Sequence, residues 1–581
     1  MMKLAEALNQ WNSDTIKKYV ALLGGSSSIT RKAERVDFVT RRLLNKKELT
    51  AVWQQLDPIA QRAVSTAFHS GGLFDQAAFV AQYGEMPPRP KDDRHFYSYY
   101  NRNPILFDLF IIDGHIPTDL MPLLADLVLP ADRFQLEGVA ELPPVIRRYS
   151  DNLDLTQADT ELVGRTDILT YLQLVDQGTL KWSAKKNELT AASVRKGMTN
   201  LIDGDFHPEP DQVSGRYVIR PFALDIFTQE AGLVTRTGKL TRAGRQFMQT
   251  QDPHVFLEAF EKWTEKGKFD ELTRISVLNG LNSRGTRLTS PASRRENVIE
   301  ALSWCPTHTW IRIADFYRAI KIWQLDFEVE TTQWSNLYAG PYKEYGQMSG
   351  SNYWRIVQGL YINAVIMEYL GTIGAVDVAY VSDEYSLIDT DGHYQDEAFS
   401  LHEGLFYFRI NNWGAFLLGQ ADEYVPSAPR KQDLFTIDDE LVVKLLAELR
   451  PNEQLQLEAV AEPLPQGGYR LDTEKLLTAV ESGLSYTQLT NFLQANHRGD
   501  LPAAVSAWLA RLEGNMGLFR EGETAVFIHL DKPELKELIE QDKVLSRLCQ
   551  PLAETAVLVL TKNLNNFRQR LKALGYLPTT A

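Results

Sequence analysis

Cysteine is almost absent from this chain, which has two cysteines, Cys305 and Cys549, in 581 residues. Two cysteines so far apart in sequence cannot assemble a disulfide framework or a zinc ribbon. We also expect no signal peptide, because Glu6 and Asp14 lie where its apolar core would have to be uninterrupted. The sequence therefore predicts a protein of a reducing compartment, the cytoplasm.

Long apolar runs are equally scarce. The most membrane-like stretch, from Gly359 to Val381, is interrupted by Asn363, Glu368 and Asp377. A membrane-spanning helix needs about 20 consecutive apolar residues. We therefore expect no membrane partner, and we interpret this stretch as a buried helix followed by a turn and a strand.

Motifs of the familiar enzymes are missing as well. No GxxxxGK[ST], GxSxG, HExxH or GxGxxG pattern occurs, and the nearest glycine-rich stretch, residues 24–32, has Thr30 before Arg31 and no lysine at the position that reaches phosphate. Cys305 and His308 form a single pair, whereas zinc requires four ligands. We predict no catalytic residue, no metal and no cofactor. A nuclease with scattered carboxylates remains a third and weaker alternative.

The composition is that of a folded protein of several domains. Apolar residues make up 44% and charged residues 23% of the chain, which are values typical of globular domains. A single core stops growing well below this length, so three to five domains are expected at about 100 to 200 residues each. The net charge of −14 repels nucleic acid at long range, and any binding to it must use local basic patches.

The first 50 residues depart from this acidic average, with ten Lys or Arg against five Asp or Glu. Ser13 or Asp14 is a plausible helix cap, Gly24 and Gly25 end the first helix, and a second helix begins near Arg31. The segment resembles a SAP-type DNA-binding motif, in which basic residues on two short helices meet the DNA backbone. The alternative is a helical hairpin with solvated charges. The basic residues assigned to DNA are Lys17, Lys18, Arg31, Lys32, Arg35, Arg41 and Arg42.

The rest of the chain reads as small helical modules with basic hairpins. Residues 240–248 and 408–419 share one plan, in which a strand leads through a glycine into a short apolar helix, and this indicates a weak internal repeat. We predict an α+β, mostly α fold with several winged-helix or helix-turn-helix modules in tandem and a small α/β C-terminal domain. The predicted domains are 1–48 (SAP-like), 49–150 (helix-turn-helix and linker), 151–300 and 301–430 (winged helix), and 431–581.

Two further basic segments are candidates for backbone contacts. One is a predicted wing tip at 183–187 with the helix that follows it. The other is an arginine-rich stretch at 282–295, and no acidic residue occurs from Leu272 to Arg295. Arginine side chains form charge-assisted hydrogen bonds with phosphate, although a solvated linker is an equally simple interpretation of the second segment. The residues are Lys185, Lys186, Arg195, Arg284, Arg287, Arg294 and Arg295.

The final quarter of the chain carries a resemblance to a known family. The segments that carry it are YRLDTEKLLTAVESGLSYTQLTNFLQAN at 469–496, the predicted wing GLFREGETAVFIHL at 517–530, and AVLVL with RQRLKALGY at 556–576. They resemble the N-terminal domain of XPB-type helicases and standalone bacterial proteins of that family. The resemblance implies a non-catalytic region that assists DNA engagement or links a motor to its partners.

The leading hypothesis is therefore a helicase-associated accessory protein that binds the DNA backbone without a motor of its own. The alternative hypothesis is a protein-interaction scaffold for a separate ATPase or nuclease, with no direct DNA binding. The net negative charge favours the scaffold, whereas the local basic segments favour DNA.

Overall fold

Helices dominate the computed structural model, which is about 49% helical with 13% strand, and this confirms an α+β chain. The chain divides into two compact units, Met1–Pro429 and Arg430–Ala581. The structure describes residues 2–90, 103–148, 151–183, 188–202, 204–207, 217–331, 337–339, 353–381, 398–427, 433–447, 449, 451–465, 467–481, 486–516, 518 and 523–577.

The first unit is built mainly from helices of two to four turns. Helices α1 to α6 and α7 surround one apolar core, whose buried residues run from Leu4 to Leu124. A second and larger core runs from Leu136 to Leu418. The helices are α1 (Leu4–Gln10), α2 (Ser13–Leu22), α3 (Lys32–Leu44), α4 (Lys46–Trp53), α5 (Pro58–His69), α6 (Gln76–Tyr83), α7 (Met121–Leu124), α8 (Glu161–Asp176), α9 (Ala191–Asn200), α10 (Arg220–Glu230), α11 (Arg242–Thr250), α12 (Pro253–Lys266), α13 (Pro291–Ser303), α14 (Ile313–Ile322), α15 (Leu360–Asn363) and α16 (Asn412–Leu417).

The strands of this unit are short, and their largest sheet has the antiparallel order β3-β7-β8-β5. One of its two central strands, β7, is buried along its whole length. Two further sheets pair β1 with β2 and β4 with β6. The strands are β1 (Val145–Arg148), β2 (Asp151–Asp154), β3 (Thr156–Ala158), β4 (Leu278–Asn279), β5 (Ile311–Arg312), β6 (Tyr338–Ala339), β7 (Val376–Tyr380) and β8 (Leu405–Ile410).

The most apolar stretch of the sequence is a buried helix, a turn and a strand, as predicted. Two π-helical segments, Arg355–Gly359 and Ala364–Gly371, flank α15, and the chain then turns into β7. Every residue from Ile356 to Val381 is buried. Across the described ranges, no helix has both the length and the apolar character that a membrane span requires.

One local plan occurs three times in the first unit. In repeat A (residues 161–200), repeat B (220–250) and repeat C (355–417), a helix ends at a glycine, a pair of extended segments follows, and a capped helix begins. The glycines have left-handed backbone angles, which glycine adopts without steric cost. They are Gly178 (φ 66°), Gly232 (φ 77°) and Gly374 (φ 83°).

The second helix of each repeat begins at a side-chain cap. Thr190, Thr241 and Asn411 each accept a hydrogen bond from the backbone N–H three residues later, which satisfies one of the free donors at a helix start. In repeats B and C that later residue is a glycine. Residues 240–248 and 408–419 thus share a side-chain cap and a glycine in the first turn of the helix, whereas the helix is largely polar in repeat B and buried in repeat C.

Those two glycines are required by close backbone packing. A Cβ on Gly244 would lie 2.1 Å from the carbonyl oxygen of Leu233, and a Cβ on Gly414 would lie 1.9 Å from that of Ala375. Repeat A has a serine at this position, and the Oγ of Ser193 accepts the Lys181 N–H instead. Each repeat therefore fixes its capped helix directly against its hairpin.

The second unit contains two small α+β assemblies. One has the sheet order β11-β12-β10-β9 and an apolar core from Phe435 to Leu512. The other has the order β13-β15-β14 and a core from Leu530 to Phe567. The elements are β9 (Phe435–Ile437), β10 (Val442–Leu445), α17 (Pro451–Glu458), β11 (Ala461–Pro463), β12 (Tyr469–Leu471), α18 (Thr473–Glu481), α19 (Tyr486–Asn496), α20 (Ala503–Asn515), β13 (Ala525–His529), α21 (Glu534–Gln541), α22 (Leu545–Leu548), β14 (Cys549–Ala553), β15 (Ala556–Leu560) and α23 (Leu564–Ala573).

The wing predicted at residues 517–530 is described only in part. Its described part contains one strand, β13, which pairs antiparallel with β15 near the end of the chain. Residues 517 and 519–522 lie outside the described residues. The apolar strand at 556–560 is thus the partner that the local sequence pattern did not indicate.

Candidate nucleic-acid interface

The N-terminal motif has the two predicted helices, α2 and α3. The cap of α2 is Asn12, one residue before the predicted position, and its side chain accepts the Thr15 N–H. Lys17 and Lys18 are exposed on α2, and Arg31 is exposed at the start of α3. Within the described ranges these three cations have no carboxylate partner. They are free to contact a polyanion.

The other cations of the motif are already engaged. Arg35 is 8% exposed, and its guanidinium donates to the carbonyl oxygens of Ser13 and Ile29. The prediction that Arg35 contacts DNA is wrong for this reason, because its donors hold the link between α2 and α3. Lys32 donates to the Asn9 carbonyl at 2.7 Å.

Arg41 and Arg42 are each paired with a carboxylate on the surface. Arg41 forms an ion pair with Asp37 one helical turn earlier, and the Nε of Arg42 lies 3.5 Å from Glu48. Exposed pairs of this kind are worth roughly 0 to 1 kcal/mol and open readily. The two arginines are therefore weaker candidates than the unpaired lysines of α2.

The arginine-rich segment at 282–295 separates into two parts. Arg284 and Arg287 are exposed in the turns before α13. Arg294 and Arg295 lie on α13 and are fully buried, where Arg294 Nη2 lies 2.7 Å from Asp270 and Arg295 Nε lies 2.9 Å from Glu271. The prediction that these two arginines contact DNA is wrong, since both face the core.

Burial makes this ionic cluster strongly interdependent. Desolvation raises the pKa of the Glu271 carboxyl above its usual value, while the charge of Arg295 acts in the opposite direction. Tyr361 also donates to Glu271, at 3.1 Å, and Arg295 donates to the Trp263 carbonyl at 2.6 Å. A buried charge is tolerated when its hydrogen bonds are made within the protein.

A second buried cluster has the composition of a nucleophilic relay. The Oγ of Ser400 lies 2.9 Å from His402 Nδ1, and His402 Nε2 lies 2.5 Å from Glu368. All three are buried, and Arg274 also pairs with Glu368 at 2.9 Å. Burial lowers the pKa of His402 below its usual value, although Glu368 opposes this shift. A nucleophile needs access to a substrate, so we interpret the cluster as a core ion network.

One cavity of about 270 Å³ lies among α5, α6 and the end of α14. Its polar walls are largely paired with each other. Arg62 forms an ion pair with Asp132, Tyr83 donates to Asp132 at 2.9 Å, and His69 Nε2 lies 2.8 Å from the Leu129 carbonyl. No group of three or more potential metal ligands occurs among the residues that the structure describes. The cavity therefore offers little unsatisfied chemistry.

Repeat B carries a group of exposed cations that sequence reasoning did not assign to DNA. Arg236 and Lys239 lie on its hairpin, and Arg242 and Arg245 lie on α11. In the described ranges Lys239, Arg242 and Arg245 have no carboxylate partner, and Arg236 has one at 3.9 Å, Glu230. The available signal was the absence of any Asp or Glu from Ala231 to Gln251.

The large apolar side chains of this hairpin and helix turn inward. Val234, Leu240 and Phe247 are buried, and Met248 packs against the same core. Arg242, Arg245 and Gln249 share the outer face of α11 at helical spacing. The solvent side of repeat B is therefore polar and positively charged.

Repeat A lies against repeat B. The ring of Trp182 packs so closely on the hairpin turn of repeat B that a Cβ on Gly238 would lie 2.1 Å from it. Trp182 Nε1 also donates to Asp225 of α10 at 2.8 Å. The exposed cations of repeat A are Lys181, Arg195 and Lys196, whereas Lys185 and Lys186 lie outside the described residues.

We compared the chain with known protein families and with curated proteins. No protein family matches the chain, and no curated protein matches it at a significant level.

Proposed function

We propose that this chain is a DNA-binding accessory protein that contacts the sugar-phosphate backbone and has no motor of its own. The observation that carries the proposal is the set of three exposed cations in repeat B, Lys239, Arg242 and Arg245, for which the described residues offer no carboxylate partner, in a chain of net charge −14. Several cations grouped on one hairpin and helix, with no acidic residue from Ala231 to Gln251, form a local basic patch that favours a polyanion as ligand.

The SAP-like motif supports the same proposal from a separate part of the unit. Lys17, Lys18 and Arg31 are exposed without carboxylate partners in the described ranges. Phosphate contacts of this kind bind without reading sequence. We further propose that repeats A, B and C are winged-helix modules. We also propose that the protein associates with a helicase, because the segments at 469–576 resemble the XPB-type domain.

A binding titration tests the proposed function. Purified protein is titrated into labelled duplex, forked and single-stranded DNA at several salt concentrations. We expect low-salt binding whose logarithm falls linearly with the logarithm of salt concentration, because each neutralised phosphate releases counterions. The variant Lys17→Ala/Lys18→Ala/Arg31→Ala should bind more weakly, with a slope smaller by up to about 2.7, from about 0.9 per contact. Absence of binding to every form at low salt overturns the proposal.

A protein scaffold is the second candidate, and one observation favours it. The outer face of the β13-β15-β14 sheet exposes Phe527 (56%) and Leu552 (59%), and exposed apolar side chains on a sheet face are typical of protein contacts. Substituting both with serine and testing co-purification of a separate ATPase or nuclease would separate the candidates. Loss of such a partner with DNA binding unchanged would assign this face to protein.

A further inference from the structure

We infer that the hairpins of repeats A and B form one continuous surface for the backbone of duplex DNA, and that Trp182 is the residue that positions the two hairpins relative to each other. This inference rests on the proposed function and adds its site. The site comprises residues that the sequence patterns did not single out, together with Arg195. They are Lys181, Arg195, Lys196, Lys239, Arg242 and Arg245.

The first step is the charge of the surface. Lys239 lies just after the turn of the repeat B hairpin, and Arg242 and Arg245 follow on the first two turns of α11. The start of α11 adds to this charge, because the backbone N–H groups of a first helical turn carry partial positive charge. Hairpin and helix thus present several donors for phosphate oxygens on one short segment.

The second step is the connection between the repeats. Gly238 has φ +71° in the turn of the repeat B hairpin, and the absence of a side chain there lets the Trp182 ring pack against the backbone. The Lys181 N–H donates to Ser193 Oγ, and the Lys181 carbonyl accepts from the Thr190 N–H. These bonds tie the Trp182 segment to the start of α9, so Trp182 connects α9 with the hairpin that leads into α11.

The third step is the choice of duplex backbone as the ligand. Proteins that bind single strands offer exposed aromatic rings on which bases stack. On this surface the one aromatic ring of the two hairpins' described residues, Trp182, is engaged by Gly238 and by the Asp225 carboxylate. The exposed groups are ammonium, guanidinium, amide and hydroxyl groups, which suit phosphate oxygens and do not require unpaired bases.

Asp225 shows why the Trp182 ring is held in place. The carboxyl is almost fully buried, and this burial raises its pKa, while hydrogen bonds from Trp182, Tyr171 and Gln229 lower it. Removing the indole N–H takes away one of the donors that satisfy this group. The Trp182 ring is therefore held by Gly238 and by Asp225. A ring that stacks on bases would instead leave a face open to solvent.

The experiment compares two kinds of variant in the full chain. Lys239→Ala/Arg242→Ala/Arg245→Ala removes charge, and we expect a salt slope for duplex DNA that is smaller by about 2.7. Trp182→Ala removes no charge, and we expect weaker duplex binding because the two hairpins no longer hold one arrangement. Trp182→Phe retains a ring against Gly238 and should restore most of the affinity.

The matched control is Lys532→Ala/Lys543→Ala/Arg547→Ala, which removes three exposed cations from the second unit. It removes the same net charge, and we expect the wild-type slope. Thermal unfolding of each variant shows whether it folds. If the repeat B alanine variant does not fold, the same three positions are substituted with glutamine and the titration is repeated.

Each result has a distinct meaning. A wild-type slope in the repeat B variant overturns the inferred site and leaves the proposed function to the SAP-like motif alone, where it stands if the Lys17, Lys18 and Arg31 variant still loses binding. Equal affinity in wild type and Trp182→Ala overturns the continuous surface alone. Tighter binding of single strands than of duplex through these residues overturns the choice of ligand. A wild-type protein that binds no DNA overturns both proposals.

Discussion

Two segments of the first unit look alike in sequence and differ in structure. Residues 272–295 and 231–251 both contain several arginines and no acidic residue. In the first, Arg294 and Arg295 are fully buried and paired with Asp270 and Glu271. In the second, Arg242 and Arg245 are exposed, and the described residues place no carboxylate beside them.

The difference teaches that local charge does not identify a binding surface by itself. Arg294 and Arg295 find their partners in the 3₁₀ turn Glu271–Arg274 and its cap Asp270, which the chain folds against α13. Arg242 and Arg245 follow a hairpin whose apolar residues face the core, which leaves the outer face of α11 in water. Whether a cluster of arginines forms a basic surface therefore depends on where the carboxylates lie in the folded chain. The spacing of charges along the sequence does not show this.

The largest expected effect is a loss of stability when the buried Arg295–Glu271 pair is broken. Arg295→Ala leaves Glu271 charged and buried without its partner, and we expect it to destabilise the first unit by about 3 to 5 kcal/mol. Arg242→Ala, on the exposed side, should change stability by less than about 0.5 kcal/mol. Urea unfolding followed by tryptophan fluorescence measures both. Equal stability of the two variants would contradict the burial of Arg295.

A smaller loss of stability is expected when the packing of α11 against its hairpin is disturbed. Gly244→Ala places a Cβ 2.1 Å from the Leu233 carbonyl oxygen, so α11 must move away from the hairpin. Overpacking of this kind costs about 1 to 3 kcal/mol. The matched control is Gly197→Ala in α9, whose Cβ would meet Pro221 at an ordinary 3.5 Å. We expect the control to be neutral or slightly stabilising in the same unfolding measurement.

The smallest effect concerns the pH dependence of the buried ion network. Burial holds the pKa of His402 below its unfolded value of 6.5, so the unfolded chain binds the proton more readily. His402 therefore contributes stability that is present above pH 6.5 and is lost as the pH falls below it. We expect wild type to lose more stability than His402→Gln between pH 7 and pH 5.5. An identical pH slope in both proteins would show that His402 does not titrate in this way.

Local patterns in the sequence predicted many elements to within a residue or two. The helix expected near Arg31 begins at Lys32, the helix expected near Thr241 begins at Arg242, and that expected near Thr473 begins there. These starts depend on capping residues and on the preceding few positions. The same reasoning placed the cap of α2 at Ser13 or Asp14, although Asn12 makes the hydrogen bond.

Long-range pairing was the main source of error. The wing predicted at 517–530 lies partly outside the described residues, and the pairing of its described strand β13 with β15, about 30 residues later, was not predicted. Arg35 looked like a surface cation by its charge, yet its guanidinium bonds to Ser13 and Ile29 and holds two helices together. In both cases the deciding partner lies outside the window in which a periodic pattern is read.

By itself, the sequence determined where helices start and stop, where glycine turns lie, and how much charge each segment carries, because these depend on neighbouring residues and on composition. Tertiary structure decided which cations face solvent. Glu271 is 24 residues from Arg295 and neutralises it in the core, and Trp182 reaches Gly238 across two helices. Burial and ion pairing are contacts between distant parts of the chain, so the binding surface exists only after folding.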